Sequence, residues 1–127
     1  MNILFVTSEC APFSKSGGLA DVAFSLPPQL KKLGHEIAVI TPLYQCVRER
    51  FGDQLNKKTE LSVWLNGAAY PCGLYWTELN GVTVWFLENE AFFHRPRLYG
   101  YDDDKKRFAW FCRAVIETLF QLDFMPQ

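Results

Sequence analysis

The chain has 127 residues, 49% apolar and 21% charged, which suits a single globular domain large enough to bury a core. Its net charge of −1 gives no electrostatic reason to expect nucleic acid or an anionic membrane as partner. No apolar run approaches the length of a membrane span, and the four cysteines, Cys10, Cys46, Cys72 and Cys112, have no C-x-x-C spacing, which argues for free thiols in a reducing cytosol and against a zinc site.

Asn2 to Thr7 is nearly all apolar and predicts a central parallel strand covered on both faces. There is no basic leader before it, so the run reads as a strand and not as a signal peptide. Ser8 to Ser16 is then a loop at the carboxyl end of that strand, the edge at which open α/β sheets bind ligands. Lys15-Ser16-Gly17-Gly18 follows, just before a pattern of helical spacing. Glycines allow close backbone approach, the first helix amides lack partners within the helix, and the helix dipole favours an anion there. With the charge of Lys15, the arrangement suits a phosphate; its competitor is a plain turn before a helix. Neither G-x-x-x-x-G-K-[ST] nor G-x-G-x-x-G is present.

Leu19, Val22, Ala23, Leu26, Leu30 and Leu33 have helical spacing, interrupted by Pro27-Pro28; the prolines predict a break near Ser25–Pro27 and a second short helix ending at Gly34. His35 falls in the turn to the second strand, Ile37 to Thr41, and suits a surface or capping role. A helical turn is expected around Gln45–Phe51. Thr59–Leu65, Ala68–Glu78 and Val82–Leu87 are strands joined by Asn66-Gly67 and Asn80-Gly81, two hairpin signals that make a β-meander. The sheet should therefore be mixed, a parallel core with antiparallel strands added. Trp64, Tyr70, Tyr75, Trp76 and Trp85 are expected to pack on both its faces, since no basic groove accompanies them. Asn89 to Asp104 is a long loop of Phe, Arg, Tyr and Asp. Lys105 to Leu122 is a helix with Phe108, Phe111, Cys112, Val115, Ile116, Leu119 and Phe120 on its apolar face.

Ser8-Glu9-Cys10-Ala11-Pro12-Phe13 followed by Lys15-Ser16-Gly17-Gly18-Leu19-Ala20-Asp21-Val22 resembles the amino terminus of the bacterial glycogen synthase and plant starch synthase family. The resemblance continues through Leu26-Pro27, Leu33-Gly34-His35-Glu36, Thr41-Pro42, Leu98-Tyr99-Gly100 and Arg107-Phe108, and so covers essentially the whole chain. It implies an α/β, Rossmann-like first part of the amino-terminal domain of a two-domain GT-B glycosyltransferase. The implied reaction is transfer of glucose from ADP-glucose to the nonreducing end of an α-1,4-glucan, with retention.

The resemblance also implies roles for residues. Lys15 would contact the donor phosphates, with Gly17 and Gly18 giving backbone approach to the donor and the sugar. Asp21, Tyr99 and Glu9 would face the acceptor cleft. Asp21 also suits a plain helix-start carboxylate, and Tyr99 a loop anchor. Arg107 is expected to tie its helix to the acidic loop. No metal and no cofactor are implied, and no catalytic residue is assigned within these residues. The family's His-Asp-Trp strand and its second domain would follow Pro126. Residues 1–127 are therefore expected to be an incomplete catalytic domain, inactive alone. A cytoplasmic location is expected, or a plastid if the source is a plant. Another nucleotide-sugar transferase of the same fold, or a non-catalytic glucan- or nucleotide-binding module, remains an alternative.

Overall fold

The computed structural model describes all 127 residues. Five strands form one mixed sheet: β1 (Asn2–Val6), β2 (Glu36–Pro42), β3 (Asn56–Leu65), β4 (Ala68–Leu79) and β5 (Val82–Glu88), in the order β1-β2-β5-β4-β3. β1–β2 and β2–β5 are parallel, whereas β5–β4 and β4–β3 are antiparallel. Both Asn-Gly turns have positive φ at each central residue, 51° and 79° at Asn66-Gly67 and 52° and 77° at Asn80-Gly81. This is the primed geometry that matches strand twist, and it fixes the meander. β2 and β5 are buried along almost their whole length and carry the core with Leu74, Val63 and Phe93.

Four helices complete the fold: α1 (Gly18–Lys32), α2 (Gln45–Phe51), α3 (Glu90–Phe93) and α4 (Asp104–Thr118). α1 packs on β2 and β5, and α4 on β3 and β5. The segment expected as an unbroken loop after β5 thus begins with a helical turn. Asn89 caps it by accepting the Phe92 amide at 3.1 Å, and its carboxamide donates to Pro71 O at 2.9 Å.

Several expectations are corrected. β1 is an edge strand of this sheet, paired only with β2, and Val6 is 48% exposed. An apolar strand reads the same with one neighbour as with two, because strand order is set by distant pairing. α1 does not break at its prolines but runs through Pro27 and Pro28. Pro27 has no N–H for the Ala23 carbonyl one turn earlier; the Cys10 thiol approaches that carbonyl at 3.8 Å, sharing its one weak donor with Ala11 O at 3.6 Å. α1 also buries Ala20, Ala23 and Pro27, leaving Leu19, Val22 and Leu26 substantially exposed.

In α4 the buried stripe is Arg107, Trp110, Phe111, Ala114, Val115 and Thr118; Phe111 and Val115 of the expected face are buried and Phe108 and Leu119 pack partly buried against the core, whereas Cys112, Ile116 and, just past the helix, Phe120 are exposed. The buried face extends beyond the one hydrophobicity selects to take in the fully buried Arg107 and Thr118. Of the meander aromatics, Trp85 is buried against Trp76, whereas Trp64 projects into solvent. His35 lies at the surface, near the amino-terminal nitrogen, and the four cysteines are free thiols.

Candidate functional site

β1 delivers the chain at Val6 to a folded loop that ends where α1 starts at Gly18. The loop is compact. Thr7 N bonds Ile40 O on β2 at 3.0 Å, Ser14 N bonds Cys10 O at 2.9 Å, and Ala11 N bonds Ala20 O in α1 at 3.1 Å. The Ala11–Pro12 peptide is cis.

Glu9 lies inside this loop, 2% exposed. Its Oε1 accepts the Ser16 and Gly17 amides, both at 3.0 Å. Its Oε2 accepts the Ser16 hydroxyl at 2.7 Å and the Tyr99 hydroxyl at 2.6 Å. Tyr99 in turn stands 2.7 Å from Ser8 Oγ, which donates to it. Burial alone would raise the Glu9 pKa, but the hydrogen bonds from Tyr99, Ser16 and Gly17 outweigh it and lower it to about 2. For Tyr99, burial and then the bond to Glu9 push the phenol up to about 12, so it stays a donor.

Two further groups brace the loop. Tyr44, just beyond β2, is fully buried against Phe93 and donates to Ser8 O at 2.7 Å. Arg107 on α4 is fully buried; it donates to Phe92 O at 2.6 Å, to Leu98 O at 3.1 Å and to Asp104 Oδ1 at 2.7 Å. It thereby ties α4 to the segment that carries Tyr99, the structural role expected of it. Tyr44 left no signal in the sequence beyond its position at the carboxyl end of a strand.

Lys15 and Asp21 are on the outside of the same loop and pair with each other, Lys15 Nζ lying 2.8 and 2.9 Å from the two Asp21 oxygens. Their side chains are 54% and 59% exposed. A pair this open contributes little to stability, so Lys15 can exchange Asp21 for a ligand at small cost. Between them lie Gly17 and Gly18. A Cβ on either would meet nothing within 4 Å. Gly17 has φ −166°, an extended conformation open to any residue. Neither packing nor backbone conformation in this chain calls for glycine at these positions. The open space lies beside the unpartnered first amides of α1, next to a lysine, and is suited to an anion. Gly17 differs from Gly18 in one respect, since its amide is already taken by Glu9.

The structure thus brings Tyr99, Ser16 and Gly17 into one hydrogen-bonded network around the buried Glu9 carboxylate, and Lys15 and Asp21 into one exposed pair. A cleft of about 540 Å³ elsewhere on the chain is lined by Glu60, Tyr70, Cys72, Glu88 and Asn89 among others, and does not include the loop.

The five-stranded mixed sheet, with its lysine–glycine loop at the carboxyl end of β1, matches the catalytic domain of a starch synthase, a GT-B glycosyltransferase. The model of the starch synthase catalytic domain matches residues 2–127, and the chain belongs to that family. The glycogen synthase of Geobacillus thermodenitrificans is 45% identical over 126 residues, and that of Streptococcus pneumoniae strain CGSP14 is 47% identical over 126; each comparison takes in 99% of this chain and 26% of the relative. The solved catalytic domain of starch synthase IV from Arabidopsis thaliana, bound to ADP and acarbose, matches with a TM-score of 0.87 at 32% identity, over 98% of this chain and 26% of that one. The chain therefore spans about a quarter of the length of the proteins it matches.

Proposed function

We propose that the protein carrying this chain transfers glucose from ADP-glucose to the nonreducing end of an α-1,4-glucan with retention of configuration. Residues 1–127 form the first part of its amino-terminal domain, and a second domain supplies the other wall of the donor site. The observation that supports this most is the pair Gly17-Gly18 beside Lys15: their lack of side chains has no use within the chain and leaves room for a ligand. The similarity to glycogen synthases, and to a starch synthase solved with ADP and acarbose, supplies the donor and acceptor classes.

In this reading Lys15 leaves Asp21 to meet the donor phosphates, and the amides at the start of α1 supply further donors. Asp21, once released, faces the acceptor side of the cleft together with Tyr99. No helix is long and apolar enough to cross a membrane, and a cytoplasmic location fits a polymerase drawing on a soluble nucleotide sugar. The test is incubation of the full-length protein with glycogen and either ADP-glucose or UDP-glucose, with proton NMR of the product. New α-linked glucose from ADP-glucose is expected. Failure to transfer from either donor, or β-linked product, would overturn the proposal.

A further inference from the structure

We propose that Glu9 is a positioning residue: its buried carboxylate fixes the bend at Ser16–Gly17 from which Lys15 and the first amides of α1 meet the donor diphosphate. The inference rests on reading the loop as the donor site. It assigns Glu9 to the loop's interior and away from the glucan.

The first argument is saturation. A carboxylate has about four acceptor positions, and Glu9 fills them with the Ser16 amide, the Gly17 amide, the Ser16 hydroxyl and the Tyr99 hydroxyl. No acceptor position remains for a sugar hydroxyl, and the group is almost fully enclosed. The second argument is register. By taking the Ser16 and Gly17 amides, Glu9 leaves Gly18 as the first residue whose amide can reach a ligand. The third is bracing from two directions. Ser8, next to Glu9, is held through its carbonyl by Tyr44 beyond β2. Tyr99 is held through the preceding carbonyl, that of Leu98, by Arg107 on α4.

Charge opposes the obvious alternative. A carboxylate at the start of a helix competes with a phosphate for the same field, so Glu9 does not assist binding as an anion. It assists as a set of hydrogen-bond acceptors. Glutamine keeps the four contacts with two of them reversed: its carbonyl takes the two amides, and its NH2 donates to the Ser16 and Tyr99 hydroxyls, which rotate to accept. Alanine keeps none of them.

The experiment measures ADP affinity of the full-length protein by calorimetry for wild type, Glu9→Ala, Glu9→Gln and Lys15→Ala, each below its own unfolding transition. Hydrogen exchange over residues 14–19 is followed in parallel. Glu9→Ala should weaken ADP about tenfold or more and lose amide protection at Ser16 and Gly17, the loss expected when hydrogen bonds to a charged group are removed. Glu9→Gln should recover affinity to within roughly threefold of wild type and keep the protection, since its carbonyl oxygen still accepts both amides. Wild-type ADP affinity in Glu9→Ala, with Lys15→Ala impaired, would overturn the positioning role while leaving the donor site in place. Wild-type affinity in Lys15→Ala would overturn the donor-site reading and this inference with it. A raised glucan KM in both Glu9 variants with ADP affinity intact would make Glu9 an acceptor contact and refute the proposal.

Discussion

Tyr99 donates its hydroxyl to Glu9 Oε2 at 2.6 Å across a sequence separation of 90 residues, and this bond joins the segment before α4 to the loop before α1. It gives the site a pH signature. The Glu9 pKa is lowered from 4.5 to about 2 in the fold, because hydrogen bonds to its anion outweigh burial. A lowered carboxylate pKa contributes stability above the unfolded-state value and loses it as pH falls through the folded one. The window therefore runs from about pH 4.5 down to about pH 2, and the contribution is about 3 kcal/mol. Denaturation of wild type and Glu9→Gln at a series of pH values should show their stability difference drifting against wild type across that window. A difference independent of pH between 5 and 2 would contradict the assigned hydrogen bonds.

Substitution at Gly18 is expected to separate stability from function. It is the first residue of α1, and a Cβ there meets nothing in the chain. Gly18→Ala should leave the melting temperature unchanged or raise it slightly, since alanine is favoured over glycine in a helix by up to about 1 kcal/mol. The same variant should lose most of its donor affinity, because the methyl group occupies the space the ligand needs. Melting curves and ADP titration on one preparation check both halves. A destabilised variant with normal donor affinity would make Gly18 a turn residue only.

Arg107 is a structural anchor. It is fully buried, paired with Asp104, bonded to two carbonyls and stacked near Phe93, Tyr101 and Phe108. Removing the fully buried guanidinium leaves the Phe92 and Leu98 carbonyls without their donor, at about 1–3 kcal/mol for each unsatisfied group. Arg107→Ala should therefore lower the melting temperature by about 10 °C or more. It should also loosen Tyr99, seen as faster hydrogen exchange over residues 98–101. An unshifted transition would remove the anchor role.

What the sequence discloses follows the range of the interactions involved. Asn66-Gly67 and Asn80-Gly81 fix both hairpins through local turn chemistry, so the meander and the mixed sheet are legible. The loop residues Lys15, Gly17 and Gly18 stand out because glycines punctuate a strand–helix junction. The continuity of α1 through Pro27 is not legible, since the Ala23 carbonyl is met by Cys10, whose position depends on how the loop folds. The buried face of α4 misleads for a similar reason: hydropathy scores Arg107 as polar, whereas stacking, carbonyls and Asp104 make it a core residue. The environment of Glu9 depends on Tyr99, far away in sequence, and no spacing rule links them.

The central claim is that Lys15, held by Asp21 in the free loop, transfers to the donor phosphates. Steady-state kinetics of the full-length protein with varied ADP-glucose, comparing wild type with Lys15→Ala, tests it most directly. A charge-assisted contact to phosphate contributes about 1.5–3 kcal/mol. The account predicts that kcat/KM for ADP-glucose falls by roughly one to two orders of magnitude, with an unchanged melting temperature because the Lys15–Asp21 pair is exposed. An unaltered kcat/KM for the donor in a correctly folded Lys15→Ala protein would contradict it.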